Sequence, residues 1–497
     1  MVMTLHFLLG KEMRKLIPGF ATMLLGILTM IFIGVMLYGI PSGLWFSGMI
    51  ARDEFTNGLR LLLLIASFFV CLLSMVFFAN RSLLKVEFYA MLLIVTACMS
   101  LLVQSNHMLM FFVSLELVTV GYYVLISYPS NRGFVSQAGK KHLICGSLSS
   151  VILLLGIVLI YVSIEGSSNN LGSLDGFDFA DIHTFFSEYS ETFWTKVGAS
   201  LLLAGLFFKM GLFPFHFWVP DVYQLAPTPV TALLAVSSKG LGFALLLLLF
   251  RTGGALAPLG DEFIPLFSVI AGSSILWGNL SALGERNVKR LIGFSGIAHS
   301  GYLLLGIIAS ICLLDRGLIT SMIFFYLSSY LFATFAIFGV MVHWGGAEDV
   351  DQQREHYVNL AKDNPFFGLI MLTGLCSLSG VPPTAGFVAK FLLFMVIFQA
   401  ELWALLGIAT LGVVISVYYY FAWIREAFFK PSHAYYSPKD KKWISPGSLF
   451  KAFWMGIVSL LFLFGVYQGD WLKRVGNSQI PMDSQKRVGE SSVFLSN

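Results

Sequence analysis

Four ionisable residues lie in stretches apolar enough to cross a bilayer: Glu116 in FFVSLELVTVGYYVL, Lys209 in LLLAGLFFKMGLF, Lys239 in LLAVSSKGLGFALL and Lys390 in GFVAKFLLF. Each sits near mid-segment or within about two turns of a helix break, too deep to reach water at an end. A charge at that depth costs at least ~2.5–3.5 kcal/mol and by default marks a proton or ion path. Removing a charged amine or carboxylate from water favours its neutral form, and bringing the two together restores both charges. Glu116 and Lys209 therefore read as a switch. Pulled apart, the lysine favours releasing its proton; re-paired, it regains one. Lys239 is expected to pass or store that proton, and Lys390 to deliver it to an outer half-channel.

Histidines suit the positions between such stations, because their unperturbed pKa lies near physiological pH. His216 directly follows a helix break, and His299 in FSGIAHSGYLLLG lies about 15 Å of helical rise from its cytoplasmic end. Both are candidate relay members. His107 and His142 stand at expected helix starts and read as interfacial residues. Lys289 and Arg290 open a helix and are expected to snorkel, as are Lys140 and Lys141, with Lys141 also placed to supply charge near Glu116.

The elements that must hold these groups are helices. Hydrophobic residues make up 57% of the 497 positions and charged residues 12%, against roughly 25% charged in soluble domains. The mean hydropathy is +0.81. This is the composition of an all-α polytopic membrane protein. A criterion of about 20 apolar residues per span finds about thirteen transmembrane helices. They are expected at 17–40, 57–79, 86–104, 107–127, 142–163, 196–214, 227–250, 264–284, 289–312, 317–344, 366–398, 402–424 and 450–469. Two of them carry breakers in similar settings: Gly211-Leu-Phe-Pro214, and Gly380-Val-Pro382-Pro383. Proline removes a backbone donor and clashes one turn back, so both helices are expected to break inside the membrane. A pair of interrupted segments in two halves points to an inverted-repeat transporter with its site at the midplane.

Several classes are excluded. Cys71, Cys98, Cys145, Cys312 and Cys376 are scattered singly, which argues against disulfides, zinc and iron–sulfur ligation. No dinucleotide or Walker pattern is present, so no cofactor, metal or catalytic centre is expected in this chain. The net charge of +4 comes from loop residues and forms no stripe suited to nucleic acid. Loop lysines and arginines, among them Lys140, Lys141, Arg286, Arg290, Lys439, Lys441 and Lys442, place the N-terminus in the cytoplasm and the C-terminus outside. The first residues read as a short retained tail, and 425–449 as a polar cytoplasmic connector.

The blocks SLELVTVGYYVL, FFKMGLFPFHFWVPDVYQLAPTPVTALLAVSSKGLGFALLL, GNLSALGERNVKRLIGFSGIAHSGYLLLG and SLSGVPPTAGFVAKF resemble, in order, the antiporter-like membrane subunits of respiratory complex I. Trp218-Val-Pro-Asp-Val-Tyr223 and Ala226-Pro-Thr-Pro229 are most similar to the N-type member. The resemblance implies two inverted five-helix repeats, each with a broken helix. The expected organisation is N-terminal helices at 1–85, a first repeat at 86–250, a second at 264–430, and a connector, final helix and tail at 431–497. It implies a proton-translocating subunit of an NADH:quinone oxidoreductase in a bacterial inner membrane, with Glu116, Lys209, Lys239 and Lys390 at the family's positions. NADH, FMN, iron–sulfur clusters and quinone would belong to partner subunits. The expected partners are neighbouring membrane subunits and the bilayer. The family pattern has one helix more, so the chain as it stands would lack the first or begin late. Gln137 and Lys141 stand where family members often have a second glutamate and a lysine. The alternative reading is a subunit of a multisubunit sodium/proton antiporter.

Overall fold

The computed structural model describes residue 28 and residues 43–79, 86–128, 133–167, 176–189, 193–313, 316–344, 349, 351–429 and 448–466. Apart from Leu28, the expected span 17–40 lies outside them, as do most of the 425–449 connector and the tail. The membrane-embedded elements are helices α1 (Glu54–Ala79), α2 (Val86–Val103), α3 (Met108–Ile126), α4 (Gly133–Ser167), α6 (Phe193–Met210), α8 (Thr228–Phe250), α9 (Gly260–Leu283), α10 (Val288–Cys312), α11 (Arg316–Trp344), α13 (Pro365–Ser379), α14 (Ala385–Gln399), α15 (Trp403–Phe428) and α16 (Ser448–Val466). Ten of these are long and apolar enough to span a bilayer; α13, α14 and α16 are shorter. Between them lie α5 (Phe179–Tyr189), α7 (Val219–Leu225) and the single turn α12 (Leu360–Asp363).

Two features depart from the sequence expectation. The helix expected from 142 begins at Gly133, so His142 lies well inside α4 instead of at its start. Secondary structure also stands where loops were expected: α5, and a hairpin of β1 (Gly43–Trp45) and β2 (Ile50–Arg52) pairing Gly43 with Arg52.

Side-chain size sets how closely the helices approach. A Cβ on Gly156 would stand 2.6 Å from the Gly198 carbonyl, and one on Gly301 would stand 2.8 Å from that of Ala271. Glycine at these contacts lets α4 meet α6 and α9 meet α10 backbone to backbone, the usual route to tight packing where lipid offers no hydrophobic drive. The core is centred on α8 and α10, each 94% buried along its most apolar stretch, whereas α15 is 33% buried and faces outward. Lys239 and His299 therefore sit on the two most enclosed helices.

Both expected breaks are present, and hydrogen bonds take up backbone groups that they free, as the hydrocarbon environment favours. At the first, Leu212 N–H donates to the Phe207 carbonyl at 3.1 Å, Trp218 Nε1 to the Phe208 carbonyl at 2.9 Å and Phe213 N–H to Ser274 Oγ at 3.0 Å. At the second, Gly380 adopts φ +83° and closes α13 with a bond from its N–H to the Cys376 carbonyl at 3.0 Å. This is the left-handed cap that glycine adopts without a Cβ penalty.

Candidate functional site: a buried line of amines

Lys209 occupies the last turn of α6, and its ammonium reaches sideways to α3 and α4. Nζ donates to Glu116 Oε1 at 2.9 Å, Thr119 Oγ1 at 2.9 Å and Ser150 Oγ at 3.1 Å. Ser150 Oγ in turn donates to the same carboxylate oxygen at 2.6 Å. Glu116 and Thr119 are three residues apart on α3 and so share a face. The pair read from the sequence is thus formed, with two hydroxyls completing the ammonium's coordination.

Beside it is a cavity of about 50 Å³ whose walls include Thr119, Tyr122, His142, Lys209, Trp218 and Ser238. That is room for water molecules. Tyr122, in its wall, has its hydroxyl 2.6 Å from Ser237 Oγ, on the helix that carries Lys239.

Lys239 is 2% exposed and has no described carboxylate within salt-bridge distance. Its Nζ donates to the Ala235 carbonyl at 3.2 Å and lies 5.5 Å from the Tyr330 ring centre and 5.9 Å from that of Tyr223. Ring faces attract an ammonium without neutralising it, typically by about 0.5–2 kcal/mol. Gly296 on α10 allows the approach, since a Cβ there would stand 2.9 Å from Nζ.

The line continues through rings. His299 is 4.9 Å from Tyr330 and 6.2 Å from Tyr302, centre to centre, and its Nδ1 is 2.8 Å from the Tyr326 hydroxyl. Tyr302 lies 5.4 Å from Lys390 Nζ. Lys390, 4% exposed, donates to the carbonyls of Leu378 at 2.8 Å and Ser379 at 3.0 Å, the last of α13. A helix C-terminus carries roughly −0.5 charge, so the break itself supplies this lysine's counter-charge.

The other charged positions are placed differently from expectation. Lys289 does not snorkel: it is fully buried, paired with Asp349 at 2.9 Å and bonded to the Ala226 carbonyl at 2.9 Å. Asp349 also accepts from Thr228 N–H at 2.9 Å, capping α8. Lys141 reaches Asp221 on α7 rather than Glu116, and Arg290 pairs with the same Asp221 and with Glu285. Burial works to raise the Asp221 carboxyl pKa, but hydrogen bonds and charge from Lys141 and Arg290 outweigh it and hold it below the ordinary value. Both lysines have a carboxylate supplied by a distant loop or helix; Lys289 is sealed from solvent, whereas Lys141 stays 38% exposed. His107 caps α3, its side chain accepting from Leu109 N–H. His216 packs among Phe213, Phe217 and Trp277, and no contact with the three lysines accompanies it.

Sequence reading passed over the neutral members of the line: Thr119, Ser150, Tyr122, Tyr302, Tyr326 and Tyr330. The signal was present for the last two, whose spacing of four in FFYLSSYLF puts both hydroxyl-bearing rings on one face of α11. His142 was misplaced because its helix starts earlier than hydropathy suggested.

A family profile described as NADH:quinone oxidoreductase/Mrp antiporter, transmembrane, matches residues 105–416. The NADH-quinone oxidoreductase subunit N 1 of Opitutus terrae is 43% identical over 428 residues, 85% of this chain and 83% of the relative. A chain of respiratory complex I from Thermus thermophilus superposes with a TM-score of 0.74 at 26% identity, covering 95% of this chain and 96% of that one. A chain of the Mrp complex from Dietzia sp. shares the fold, with a TM-score of 0.76 at 19% identity and coverages of 96% and 94%. The matched segment contains every residue of the line from Glu116 to Lys390, and the chain belongs to the NADH:quinone oxidoreductase/Mrp antiporter transmembrane family, among its complex I subunit N members.

Proposed function

We propose that this chain translocates protons as a membrane subunit of a bacterial NADH:quinone oxidoreductase, and that Glu116, Lys209, Lys239, His299 and Lys390 carry them. The observation that carries the reading is the continuity of the line. The Glu116–Lys209 pair, the adjoining cavity, Lys239, the ring cluster around His299 and Lys390 succeed one another from α3 and α6 through the enclosed α8 and α10 to α14.

In this reading, separating Glu116 from Lys209 leaves a desolvated ammonium that favours giving up its proton into the cavity. Lys239 receives it, held by tyrosine rings that do not fix its charge as a carboxylate would. Lys390, stabilised by the carbonyls ending α13, is the outward station. The breaks at Gly211–Pro214 and Gly380–Pro383 set the depth of these groups. His216, at the first break, stands beside this line rather than in it.

The chain contributes conduction, and NADH, FMN, iron–sulfur clusters and quinone chemistry belong to partner subunits. The N-terminus is cytoplasmic and the C-terminus outside, with repeats at 86–250 and 264–430. The test is the assembled complex carrying Lys239→Met in proteoliposomes. Proton uptake per NADH oxidised is expected to fall sharply, with proton-coupled turnover down ~10²-fold, the scale of losing a positioned proton carrier. An unchanged proton-to-electron ratio would remove Lys239 from the path.

A further inference from the structure

Between Lys209 and the Lys239 helix lies one more ionisable side chain. His142, on α4, is 7% exposed and lines the cavity that Lys209 lines. Its ring is clamped between Trp218 at 5.1 Å and Tyr122 at 6.4 Å, centre to centre. Its Nε2 is buried and has no hydrogen-bond partner among the described residues. Buried polar atoms are almost always paired, so an unpaired ring nitrogen on a cavity wall calls for an explanation beyond packing. Phenylalanine would fill the same clamp.

We propose that His142 is a proton station linking the Glu116–Lys209 pair to the Tyr122–Ser237 contact, and through it to the helix of Lys239. With its hydrogen on Nδ1, the neutral ring presents the Nε2 lone pair to the cavity. The Lys209 ammonium loses a proton and becomes the amine; Nε2 gains it and the ring becomes imidazolium. Nε2 then gives the proton to water on the Ser238 side of the cavity, and the neutral ring is restored. Tyr122 contributes both the ring that holds His142 and the hydroxyl that meets Ser237 at 2.6 Å. This deepens the proposed function and rests on it.

The charged groups around the ring are Lys209 from α6, paired with Glu116 from α3, and, on the ring's own helix, Lys141, engaged with Asp221 of α7. Tyr122 from α3 faces the ring with a neutral hydroxyl. From α8 the cavity receives the neutral Ser238.

The experiment compares three variants of the whole complex in proteoliposomes: His142→Phe, which keeps the packing, His142→Gln, which keeps a polar group but cannot carry a proton, and Lys209→Met. Complex content on native gels normalises each. Both His142 variants are expected to lower protons moved per NADH oxidised by about tenfold or more. They should also shift the pH dependence of pumping, which a change confined to packing would leave alone. If His142→Phe fails to assemble, His142→Gln decides. Wild-type stoichiometry and an unchanged pH profile in the His142 variants, with pumping lost in Lys209→Met, would overturn the proposal and leave the line of amines standing. Full pumping in Lys209→Met as well would overturn both.

Discussion

The two broken helices hold their lysines by opposite means. Lys209 precedes its break and is held by side chains from two other helices, paired with Glu116 and hydrogen-bonded to Thr119 and Ser150, beside a cavity. Lys390 follows its break and is held by the backbone, through the two carbonyls that end α13. A side-chain carboxylate can rotate away from its partner, whereas the carbonyls of a capped helix end cannot leave without unwinding it. The first half is therefore built to change its electrostatics, and the second to present a fixed field. One kind of backbone interruption serves both ends because proline and glycine decide only where the helix stops, not what faces the stop.

The sharpest way to break this comparison is to remove each lysine. Lys209→Met strands a carboxylate, and losing one member of a buried pair costs up to about 3–5 kcal/mol, less here because Glu116 is 28% exposed. Assembled complex should fall in this variant and recover in the Glu116→Gln/Lys209→Met double variant, with pumping absent from both. Lys390→Met strands only two carbonyls. Its complex should assemble at wild-type levels while pumping is lost, and poor assembly of Lys390→Met would erase the distinction. Native gels and proton-to-electron ratios read both.

Next in size are the glycines at the breaks. Gly211 and Gly380 have φ of +69° and +83°, where alanine costs about 1–2 kcal/mol from conformation alone. A Cβ on Gly211 would also stand 2.5 Å from Val219 Cγ2, whereas on Gly380 it would stand 2.9 Å from Lys390 Cδ, part of a flexible chain. Gly211→Ala should lower thermal stability more, and Gly380→Ala should impair pumping by moving Lys390. Thermal unfolding in detergent, set against proteoliposome pumping, separates the two.

The smallest effect concerns single hydroxyls. Ser150→Ala removes a 2.6 Å bond to Glu116 and should weaken the pair by about 0.5–1.5 kcal/mol, seen as a shifted pH dependence of pumping. Ser379→Ala should leave that profile unchanged, because Ser379 meets Lys390 through its carbonyl while its hydroxyl serves Cys376. Equal shifts in the two variants would mean that side chains tune both ends.

Much of the fold was legible in the sequence because a bilayer makes the rule local: an apolar run of sufficient length is a helix, and a Gly–Pro cluster within it is a break. Glu116, Lys209, Lys239 and Lys390 could be picked out for the same reason, as costly exceptions to that rule. What escaped was everything that depends on a partner far along the chain. Lys289 looked like a snorkelling terminus until Asp349, 60 residues away, was found beside it. Lys141 was expected near Glu116 and instead meets Asp221, 80 residues away.

The sequence by itself determined a helical membrane protein with two interrupted helices and four charges within apolar runs, because hydration free energy acts residue by residue. Which charge is paired, which rests on tyrosine rings and which on a helix end was decided by the tertiary structure. Those outcomes depend on distances of a few ångströms between helices, and Coulomb and hydrogen-bond energies change steeply on that scale.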